Sequence, residues 1–305
     1  MSVTVLVPDE NGRRVLSQLA GVRALRFDPG EPLPDGAGDA EVLVPRFLAR
    51  TAEMIDLMHD LPNLRLVQLL TAGAEDWIGR LPDGVMLSNG RGAHGGSVAE
   101  WVLGVLLTIY WDLTDFVDAQ RDRRWAHHRT DGLRGKRVLV IGAGDLGRTL
   151  QQRLEVFDTT VTLVGTVARG HVRGVAELPE LLGGCDVVVL MVPVTAETVG
   201  MVDAKFLARM TDGAVLVNAA RGPVVDTEAL LAELSSGRLR AALDVTDPEP
   251  LPSDHPLWMA PGLLLTPHIG GSSRGNFDRA YAIAAEEITR YVAGARPKNL
   301  VLGQY

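Results

Sequence analysis

Cysteine is almost absent from this chain of 305 residues, which contains one, Cys185. A single thiol cannot form an intrachain disulfide, so the sequence carries no mark of an oxidising compartment. Residues 1–10 also lack the basic start and the small-residue cleavage site of a secretory signal peptide. These absences predict a cytoplasmic protein.

Long apolar runs and a basic surplus are missing as well. The longest uncharged apolar run, residues 101–111, is well short of the ~20 residues that a membrane-spanning helix requires, so no membrane partner is expected. Lys and Arg number 30 against 38 Asp and Glu, a net charge of −8. This balance argues against nucleic acid as a partner but allows one phosphate-bearing ligand. No Cys/His cluster has metal-ligand spacing, so no metal is predicted.

Glycine is present in excess, at 33 residues, against a typical share of about 7%. The length suggests about two domains. Short apolar runs alternate with helix-like stretches, which predicts parallel sheets covered by helices. The predicted strands are residues 3–7, 22–27, 42–44, 64–70, 85–87, 138–141, 161–164, 187–191, 214–217, 239–243 and 263–266.

An unusually apolar helix is predicted near residues 97–118. Ser97 and Glu100 have the spacing of a capping box at its start, and apolar residues such as Trp101 and Val105 follow at spacings of three and four. A helix that is apolar almost all round must be buried on several faces. It is either a core helix or one shared between domains or between the subunits of a dimer, and the sequence leaves both interpretations open.

A glycine-rich turn follows the predicted strand at 138–141. Gly142 permits a tight turn, Gly144 lets the backbone approach a pyrophosphate, and Gly147 lets helix and strand pack closely. The strand before, the helix after and the next strand at 161–164 distinguish this pattern from an isolated tight turn. The predicted pyrophosphate-binding residues are Gly142, Gly144, Asp145, Leu146 and Gly147.

The end of the next predicted strand bears on the choice between NAD and NADP. A dinucleotide site of this kind usually has an acidic residue about 20 residues further on, which binds the ribose hydroxyls. Here Gly165 is followed by Thr166, and no carboxylate is present to repel a 2′-phosphate. Thr166 can donate a hydroxyl, and Arg169 or Arg173 could supply positive charge. We expect NADP, with NAD as the alternative if the arginines are only solvated loop residues.

Three later segments place polar residues directly after predicted strands of the same sheet. They are residues 217–226, 242–252 and 265–271, and they carry Arg221, Glu249 and His268 respectively. The carboxyl edge of an open α/β sheet is where ligands bind. Taken singly, each residue has a structural explanation, as a turn residue or as a partner in a loop ion pair.

Together with the glycine-rich turn, these segments resemble the D-isomer-specific 2-hydroxyacid dehydrogenase family, and within it the glyoxylate/hydroxypyruvate reductases. The resemblance covers essentially the whole chain. It implies an α/β fold of two Rossmann-like or flavodoxin-like domains with parallel sheets and the active site in the interdomain cleft. Residues 1–96 and 274–305 would form the substrate domain and residues 97–273 the dinucleotide-binding domain. A homodimer through the helix near 97–118 is expected.

The resemblance also implies residue roles. Arg221 would bind the carboxylate of a 2-oxo acid substrate, His268 would be the general acid/base, and Glu249 would be its carboxylate partner. Histidine exchanges protons near neutrality, and the arginine fork matches a carboxylate bidentately. Backbone donors to the same carboxylate would come from Ala72 and Gly73, with Arg91, His94 and Trp258 as secondary candidates. The remaining cofactor-lining positions would be Val192, Pro193, Thr198, Asn218, Ala219 and, facing the nicotinamide carboxamide, Asp244.

Three alternatives accompany this assignment. A formate dehydrogenase shares the framework but resembles a Gln/His pairing, whereas this chain has Glu249. A phosphoglycerate dehydrogenase often carries an added regulatory domain, for which we expect no residues here. A nucleotide-binding corepressor or scaffold could keep the fold without significant turnover, although the set of Arg221, Glu249 and His268 argues against it.

Overall fold

The computed structural model of the chain describes residues 2–28, 30–47, 49 and 51–303. Its internal contacts divide the chain into two units, Met1–His94 with Arg274–Tyr305, and Gly95–Ser273. Each unit contains one parallel sheet with its own core, and the two are described in turn. The assignment of substrate binding to residues 1–96 and 274–305, and of dinucleotide binding to residues 97–273, stays a prediction.

The first unit is built on a five-stranded sheet in which every described pairing is parallel. Its strand order is β2-β1-β3-β4-β5, the flavodoxin-like order. The strands are β1 (Val3–Val7), β2 (Val22–Arg26), β3 (Ala40–Leu43), β4 (Leu66–Gln68) and β5 (Met86–Ser88). The helices, numbered in chain order over both units, are α1 (Glu10–Leu16), α2 (Thr51–Met58) and α9 (Asn276–Val292).

Both faces of this sheet are buried. Leu6 points into a cluster with Met54 and Met58 of α2, whereas Val5 points into a cluster with Tyr281 and Ile288 of α9. Successive strand residues face opposite sides, so a strand covered on both sides is apolar throughout. The last helix of the chain therefore completes the core that the first strand begins.

The second unit contains a seven-stranded parallel sheet of order β12-β11-β10-β9-β6-β7-β8. The strands are β6 (Arg137–Ile141), β7 (Thr160–Gly165), β8 (Val172–Gly174), β9 (Val187–Leu190), β10 (Val215–Asn218), β11 (Arg240–Leu243) and β12 (Leu263–Leu265). The helices are α3 (Gly95–Tyr110), α4 (Leu113–Arg121), α5 (Asp145–Glu155), α6 (Leu178–Leu181), α7 (Ala204–Leu207) and α8 (Thr227–Ser235).

The strand order changes direction between β6 and β9. From β6 the chain moves outward to β7 and β8, then returns to the other side of β6 and continues outward from β9 to β12. In open α/β sheets, ligands bind beyond the carboxyl ends of the strands at such a switch point. The predicted α/β class with two parallel sheets is confirmed, while the interdomain cleft stays a prediction.

The apolar segment near 97–118 is two helices, so the predicted single helix is wrong. α3 ends at Tyr110 and α4 begins at Leu113, because Asp112 adopts a left-handed conformation with φ of 48°, which Asp tolerates better than most residues. α3 also begins two residues before Ser97. The predicted capping box is therefore wrong as well, and Glu100 instead accepts a hydrogen bond from Arg153 Nη1 at 2.9 Å.

α3 lies in the core of the second unit, with Val102 and Leu106 packed among residues of the sheet and of α5. One face of the helix therefore lies in a domain core, as the interpretation of a core helix expects. No helix of the part of the chain that the structure describes is long and apolar enough to cross a membrane.

Candidate active site

The glycine-rich turn joins β6 to α5, and two of its glycines are required by close packing. Gly142 has φ of 122°, and a Cβ there would collide with the carbonyl oxygen of Met191. A Cβ at Gly147 would collide with the carbonyl oxygen of Gly142. The turn is thus a compact unit that tolerates no side chain at either position.

Gly144 differs from its neighbours, because a Cβ there would meet no described atom within 4 Å. It is the N-cap residue of α5, and it has no side chain with which to cap the helix. Open space therefore lies next to a helix N-terminus, which favours anions through its backbone N–H groups and dipole. Asp145 and Leu146 begin the first turn of α5 beside Gly144. The turn fits the pyrophosphate of a dinucleotide.

The loop between β7 and β8 contains Thr166 and Arg169, both exposed. Arg169 and Val172 exchange two backbone hydrogen bonds of 2.9 Å, which close the loop into a tight hairpin. A cavity of about 500 Å³ is lined by Ala168–Arg173 and Glu177. Glu177 accepts hydrogen bonds from Arg173 Nη1 at 3.0 Å and from the Gly174 amide at 2.8 Å. Arg173 is therefore paired at the rim of this cavity.

The predicted cofactor-lining residues after β9 follow the strand directly. Val192 and Pro193 come just beyond Leu190, and Thr198 Oγ1 donates to the Pro193 carbonyl oxygen at 2.6 Å. The same hydroxyl accepts from the Thr195 amide at 2.8 Å. These bonds fix the loop at the switch-point side of the sheet.

Asn218 is the last residue of β10 and organises the loop that carries Arg221. Its amide nitrogen donates to the Arg221 carbonyl oxygen, and its amide oxygen accepts from the Ala220 N–H, both at 3.0 Å. The Ala219 N–H donates to the Leu190 carbonyl oxygen at 3.2 Å. Asn218 is buried, so it acts in this structure as an internal brace of the loop.

Arg221 begins a loop that presses against the segment after β11. A Cβ at Gly222 would collide with the backbone carbonyl of Thr246, so glycine is required beside Arg221. The Arg221 Nη1 atom donates to the Ala220 carbonyl oxygen at 2.7 Å. The close approach brings the Arg221 loop next to the segment that leads to Glu249.

His268 and Glu249 form the pair that the resemblance implies. His268 Nδ1 lies 2.7 Å from Glu249 Oε1, and the side chains are 31% and 41% exposed. An ionised carboxylate only accepts hydrogen bonds, so Nδ1 carries a hydrogen and Nε2 is the ring atom left for chemistry. The pair can therefore hold or release a proton at Nε2.

The predicted catalytic residues come from three adjacent strands. Arg221 follows β10, Glu249 follows β11 and His268 follows β12, and these strands are neighbours with parallel pairings. A cavity of about 360 Å³ adjoins the pair. Among its lining residues are Asp244, Glu249, Leu251, Trp258, Leu265 and His268. The secondary candidate Trp258 thus lies beside the pair, with its indole N–H bonded to the Pro252 carbonyl oxygen at 2.7 Å.

Asp244 makes contacts that the sequence does not reveal. Its side chain is 5% exposed and accepts hydrogen bonds from Thr266 Oγ1 at 2.7 Å and from the amides of Ile269 and Gly270 at 2.8 Å. Its carbonyl oxygen accepts from the His268 N–H at 2.7 Å. Asp244 therefore holds the amide of His268 and the two amides that follow it. Its contact with a nicotinamide carboxamide stays a prediction.

Ala72 and Gly73 belong to the first unit, in a turn after β4 in which the carbonyl oxygens of residues 70–73 accept hydrogen bonds. The Leu70 oxygen lies 2.7 Å from His94 Nε2, and the Ala72 oxygen accepts from Asn89 Nδ2 at 2.7 Å. The Thr71 and Gly73 oxygens accept from the Gly90 amide and from Thr71 Oγ1. The peptide planes of the turn are fixed by these contacts.

The secondary candidates His94 and Arg91 lie near this turn as scaffold residues. His94 Nδ1 lies 2.6 Å from Asn276 Nδ2 of α9, a donor, so His94 Nε2 carries the hydrogen given to Leu70. Arg91 Nη2 donates to Asn299 Oδ1 at 3.2 Å. Across the described residues, no group of three or more His, Cys, Asp or Glu side chains could hold a metal ion.

Comparison with known proteins gives a consistent family. Residues 103–270 match the family described as D-isomer specific 2-hydroxyacid dehydrogenase, NAD binding domain. The chain is similar to a glyoxylate reductase of Thermofilum pendens, at 31% identity over 81% of this chain and 77% of that protein.

Two solved structures share the fold over nearly the whole chain. One is a D-isomer specific 2-hydroxyacid dehydrogenase family protein from Aeromonas salmonicida, with a TM-score of 0.89 and 28% identity over 99% of both chains. The other is a D-isomer specific 2-hydroxyacid dehydrogenase from Xanthobacter autotrophicus in complex with NADPH and MES. Its TM-score is 0.82, at 30% identity over 99% of this chain and 98% of that one.

Proposed function

The chain belongs to the D-isomer-specific 2-hydroxyacid dehydrogenase family, and we propose that it reduces small 2-oxo acids of the glyoxylate and hydroxypyruvate type, with NADPH as the preferred cofactor. The family predicted from the sequence is confirmed, and the chain is an NAD(P)-dependent oxidoreductase. The similar glyoxylate reductase of Thermofilum pendens supports a small substrate. The observation that carries the proposal is the 2.7 Å contact between His268 Nδ1 and Glu249 Oε1.

His268 is the proton donor and acceptor. In the reductive direction, the protonated ring gives its Nε2 proton to the oxygen of the forming alkoxide. Glu249 faces Nδ1, where its charge stabilises the imidazolium before the transfer. In the oxidative direction, the neutral Nε2 accepts the hydroxyl proton of the 2-hydroxy acid. The Glu249 contact also fixes the ring tautomer that leaves Nε2 available.

Arg221 binds the carboxylate of the substrate. Its planar guanidinium offers paired donors that match the two carboxylate oxygens and orient the neighbouring carbonyl. The Asn218 brace and the contact at Gly222 support this role, because they fix the backbone that carries Arg221. Ala72 and Gly73 of the first unit supply further backbone donors to the same carboxylate.

The cofactor site fits the residues of the second unit. When bound, the nicotinamide supplies the hydride to the carbonyl carbon. Gly144, Asp145 and Leu146 would hold the pyrophosphate at the N-terminus of α5, where open space and backbone donors coincide. The rest of the site would be lined by Val192, Pro193, Thr198, Asn218, Ala219 and Asp244.

NADPH is preferred because the β7–β8 loop offers positive charge and no acidic residue at the end of β7. Thr166 and Arg169 are exposed, and Arg169 lines a cavity of about 500 Å³ in which the Glu177 carboxylate is paired with Arg173. A carboxylate in this place would repel a 2′-phosphate, whereas Arg169 attracts it. The similar Xanthobacter autotrophicus structure, solved with NADPH, supports this preference.

We further propose a cytoplasmic homodimer that associates through α3 and α4. Trp111, Leu113 and Val117 leave between 45% and 49% of their surface exposed at the α3–α4 joint. Exposed apolar residues clustered in this way mark interaction surfaces. A monomeric mass in solution at micromolar concentration would refute the dimer.

One set of assays tests the activity. Oxidation of NADPH and of NADH is followed with glyoxylate, hydroxypyruvate, pyruvate and a bulkier 2-oxo acid. The highest kcat/KM is expected for glyoxylate or hydroxypyruvate with NADPH, and His268→Ala should lose roughly 10²- to 10⁴-fold in kcat.

Each negative result in these assays refutes a different assignment. A strong preference for NADH would refute the cofactor assignment. Wild-type rates in His268→Ala would refute the proton-transfer role. A chain that binds NADPH but leaves every 2-oxo acid unreduced would behave as the scaffold alternative does.

A further inference from the structure

A chain of hydrogen bonds links helix α3 to the carboxylate of Asp244. Trp101 Nε1 lies 3.0 Å from Thr266 Oγ1, which lies 2.7 Å from Asp244 Oδ1. The indole N–H only donates, so the Thr266 hydroxyl accepts from it and gives its own proton to Asp244. The direction of both bonds is therefore fixed by chemistry.

At the other end of these hydrogen bonds, Asp244 holds the turn that contains His268. The Asp244 carboxylate accepts from the amides of Ile269 and Gly270, both at 2.8 Å, and its carbonyl oxygen accepts from the His268 N–H. His268 has φ of 53°. This left-handed conformation is uncommon for residues other than glycine and persists only where the surroundings impose it. The bonds from Asp244 to the amides of His268, Ile269 and Gly270 impose it.

Trp101 also contacts the turn by packing. A Cβ at Gly270 would lie 2.9 Å from Asp244 Oδ2 and 3.7 Å from Trp101 Cγ. The indole ring therefore lies over Gly270, and a residue other than glycine would push against the carboxylate. Trp101 is half-buried in the second turn of α3, so the helix carries both the ring and its N–H to the His268 turn.

We propose that Trp101 and Thr266 are positioning residues for His268, acting through the Asp244 carboxylate. They contact neither the imidazole ring nor its Glu249 partner in the bonds described above. Their effect is to keep Asp244 oriented, so that the His268 turn directs Nδ1 to Glu249 and leaves Nε2 aimed at the reacting oxygen. This inference rests on the proposed proton-transfer role of His268.

Removal of the Thr266 hydroxyl has a defined consequence. The buried Asp244 carboxylate loses one of its three donors, and it can regain one only by turning toward other groups. Any such turn weakens the bonds to Ile269 and Gly270 that hold the left-handed His268. A misplacement of about 1 Å in a catalytic group can cost roughly 10²-fold in rate.

The test compares Thr266→Val, Thr266→Ser and Trp101→Phe with the intact chain. Thr266→Val should lower kcat by about 10- to 100-fold, with KM for the 2-oxo acid almost unchanged. Thr266→Ser should restore the rate, because it keeps the hydroxyl. Trp101→Phe should have a smaller effect in the same direction. The double variant should be no worse than Thr266→Val alone, since both changes interrupt one chain of bonds.

Two control variants have matched chemistry outside the network. Thr108→Val removes a hydroxyl that donates to the Gly104 carbonyl oxygen in the same helix. Trp125→Phe removes the indole N–H of a tryptophan that is 96% exposed. Both should leave kcat at the wild-type value. Loss of rate in Thr108→Val equal to that in Thr266→Val would overturn the proposal.

A second measurement does not depend on turnover. With ¹⁵N-labelled histidine, the His268 Nδ1 proton is assigned by its loss in His268→Gln. Thr266→Val should shift or broaden this resonance while the melting temperature stays close to wild type. An unchanged resonance together with an unchanged kcat would overturn the positioning role. Absence of turnover in the intact chain would refute the proposed function alone, and the resonance would still decide this inference.

Discussion

His268 Nδ1 meets Glu249 Oε1 at 2.7 Å across 19 positions of sequence. The two residues follow adjacent strands, β12 and β11, so the parallel sheet brings their loops to the same edge. Asp244, which directly follows β11, accepts hydrogen bonds from the backbone amides of His268 and Ile269. The pair is thus positioned by the sheet and by a buried carboxylate together.

The negative charge of Glu249 should contribute more to kcat than the shape of its side chain does. Glu249→Gln keeps an oxygen that can accept from His268 Nδ1 but removes the negative charge that stabilises the imidazolium. We expect kcat to fall by roughly 10²-fold, with Kd for NADPH unchanged. Steady-state rates and a fluorescence titration of NADPH measure the two quantities. Full activity in Glu249→Gln would show that the carboxylate serves only to orient the ring.

Gly222 should be intolerant of even a methyl group. A Cβ there would collide with the Thr246 carbonyl, so Gly222→Ala forces apart the loops that carry Arg221 and Glu249. We expect a loss of about 1–3 kcal/mol in the free energy of unfolding and a raised KM for the 2-oxo acid. Urea unfolding and steady-state kinetics measure both. Gly104→Ala is the control, because its Cβ would meet no described atom within 4 Å.

Substitutions in the glycine-rich turn should distinguish a glycine needed for cofactor binding, Gly144, from one needed for folding, Gly142. At Gly144 an added methyl enters open space, so Gly144→Ala should fold like wild type yet bind NADPH about tenfold more weakly, ~1.4 kcal/mol. Gly142→Ala, in contrast, should lower the melting temperature, since its φ of 122° and the Met191 carbonyl exclude a side chain. Equal losses of stability in the two variants would contradict this distinction.

Arg169 should discriminate between the two cofactors. Arg169→Ala removes positive charge from the β7–β8 loop, so the KM for NADPH should rise about tenfold or more while the KM for NADH stays constant. Arg173→Ala is the informative comparison, because Arg173 is already paired with Glu177 at 3.0 Å and should matter less. An unchanged ratio of the two KM values in Arg169→Ala would place the 2′-phosphate elsewhere.

The fold and the site can be predicted from the sequence where a local pattern dictates the backbone conformation. The glycines at 142 and 147 are required by collisions with neighbouring carbonyl groups, so their spacing, together with the strand before and the helix after, indicates the turn. The His268–Glu249 pair is implied by the family resemblance, and the parallel strands β11 and β12 bring the two loops to one edge of the sheet. Strand β8 was missed, since Val172–Gly174 is three residues long and has no apolar run.

Other features depend on contacts between distant residues. The Trp101–Thr266 hydrogen bond joins residues 165 positions apart, and no local sequence pattern predicts it. The break at Asp112 was missed because apolar spacing continues through it, while its left-handed φ depends on the surrounding structure. Ser97 and Glu100 have the spacing of a cap, yet the helix begins at Gly95 and Glu100 pairs with Arg153.

The joint between α3 and α4 should make stability depend on pH. His128 Nε2 lies 3.1 Å from Asp112 Oδ2, and this hydrogen bond, followed by one to the Ala126 carbonyl, raises the pKa of His128 above its usual 6.5. A raised folded-state pKa stabilises the protein below the unfolded value, and the effect is lost as pH rises through the folded value. His128→Gln should therefore destabilise the chain more at acid than at alkaline pH, by urea unfolding. His127→Gln is the neighbouring control, and the same pH dependence in both variants would show that the Asp112 contact does not form in solution.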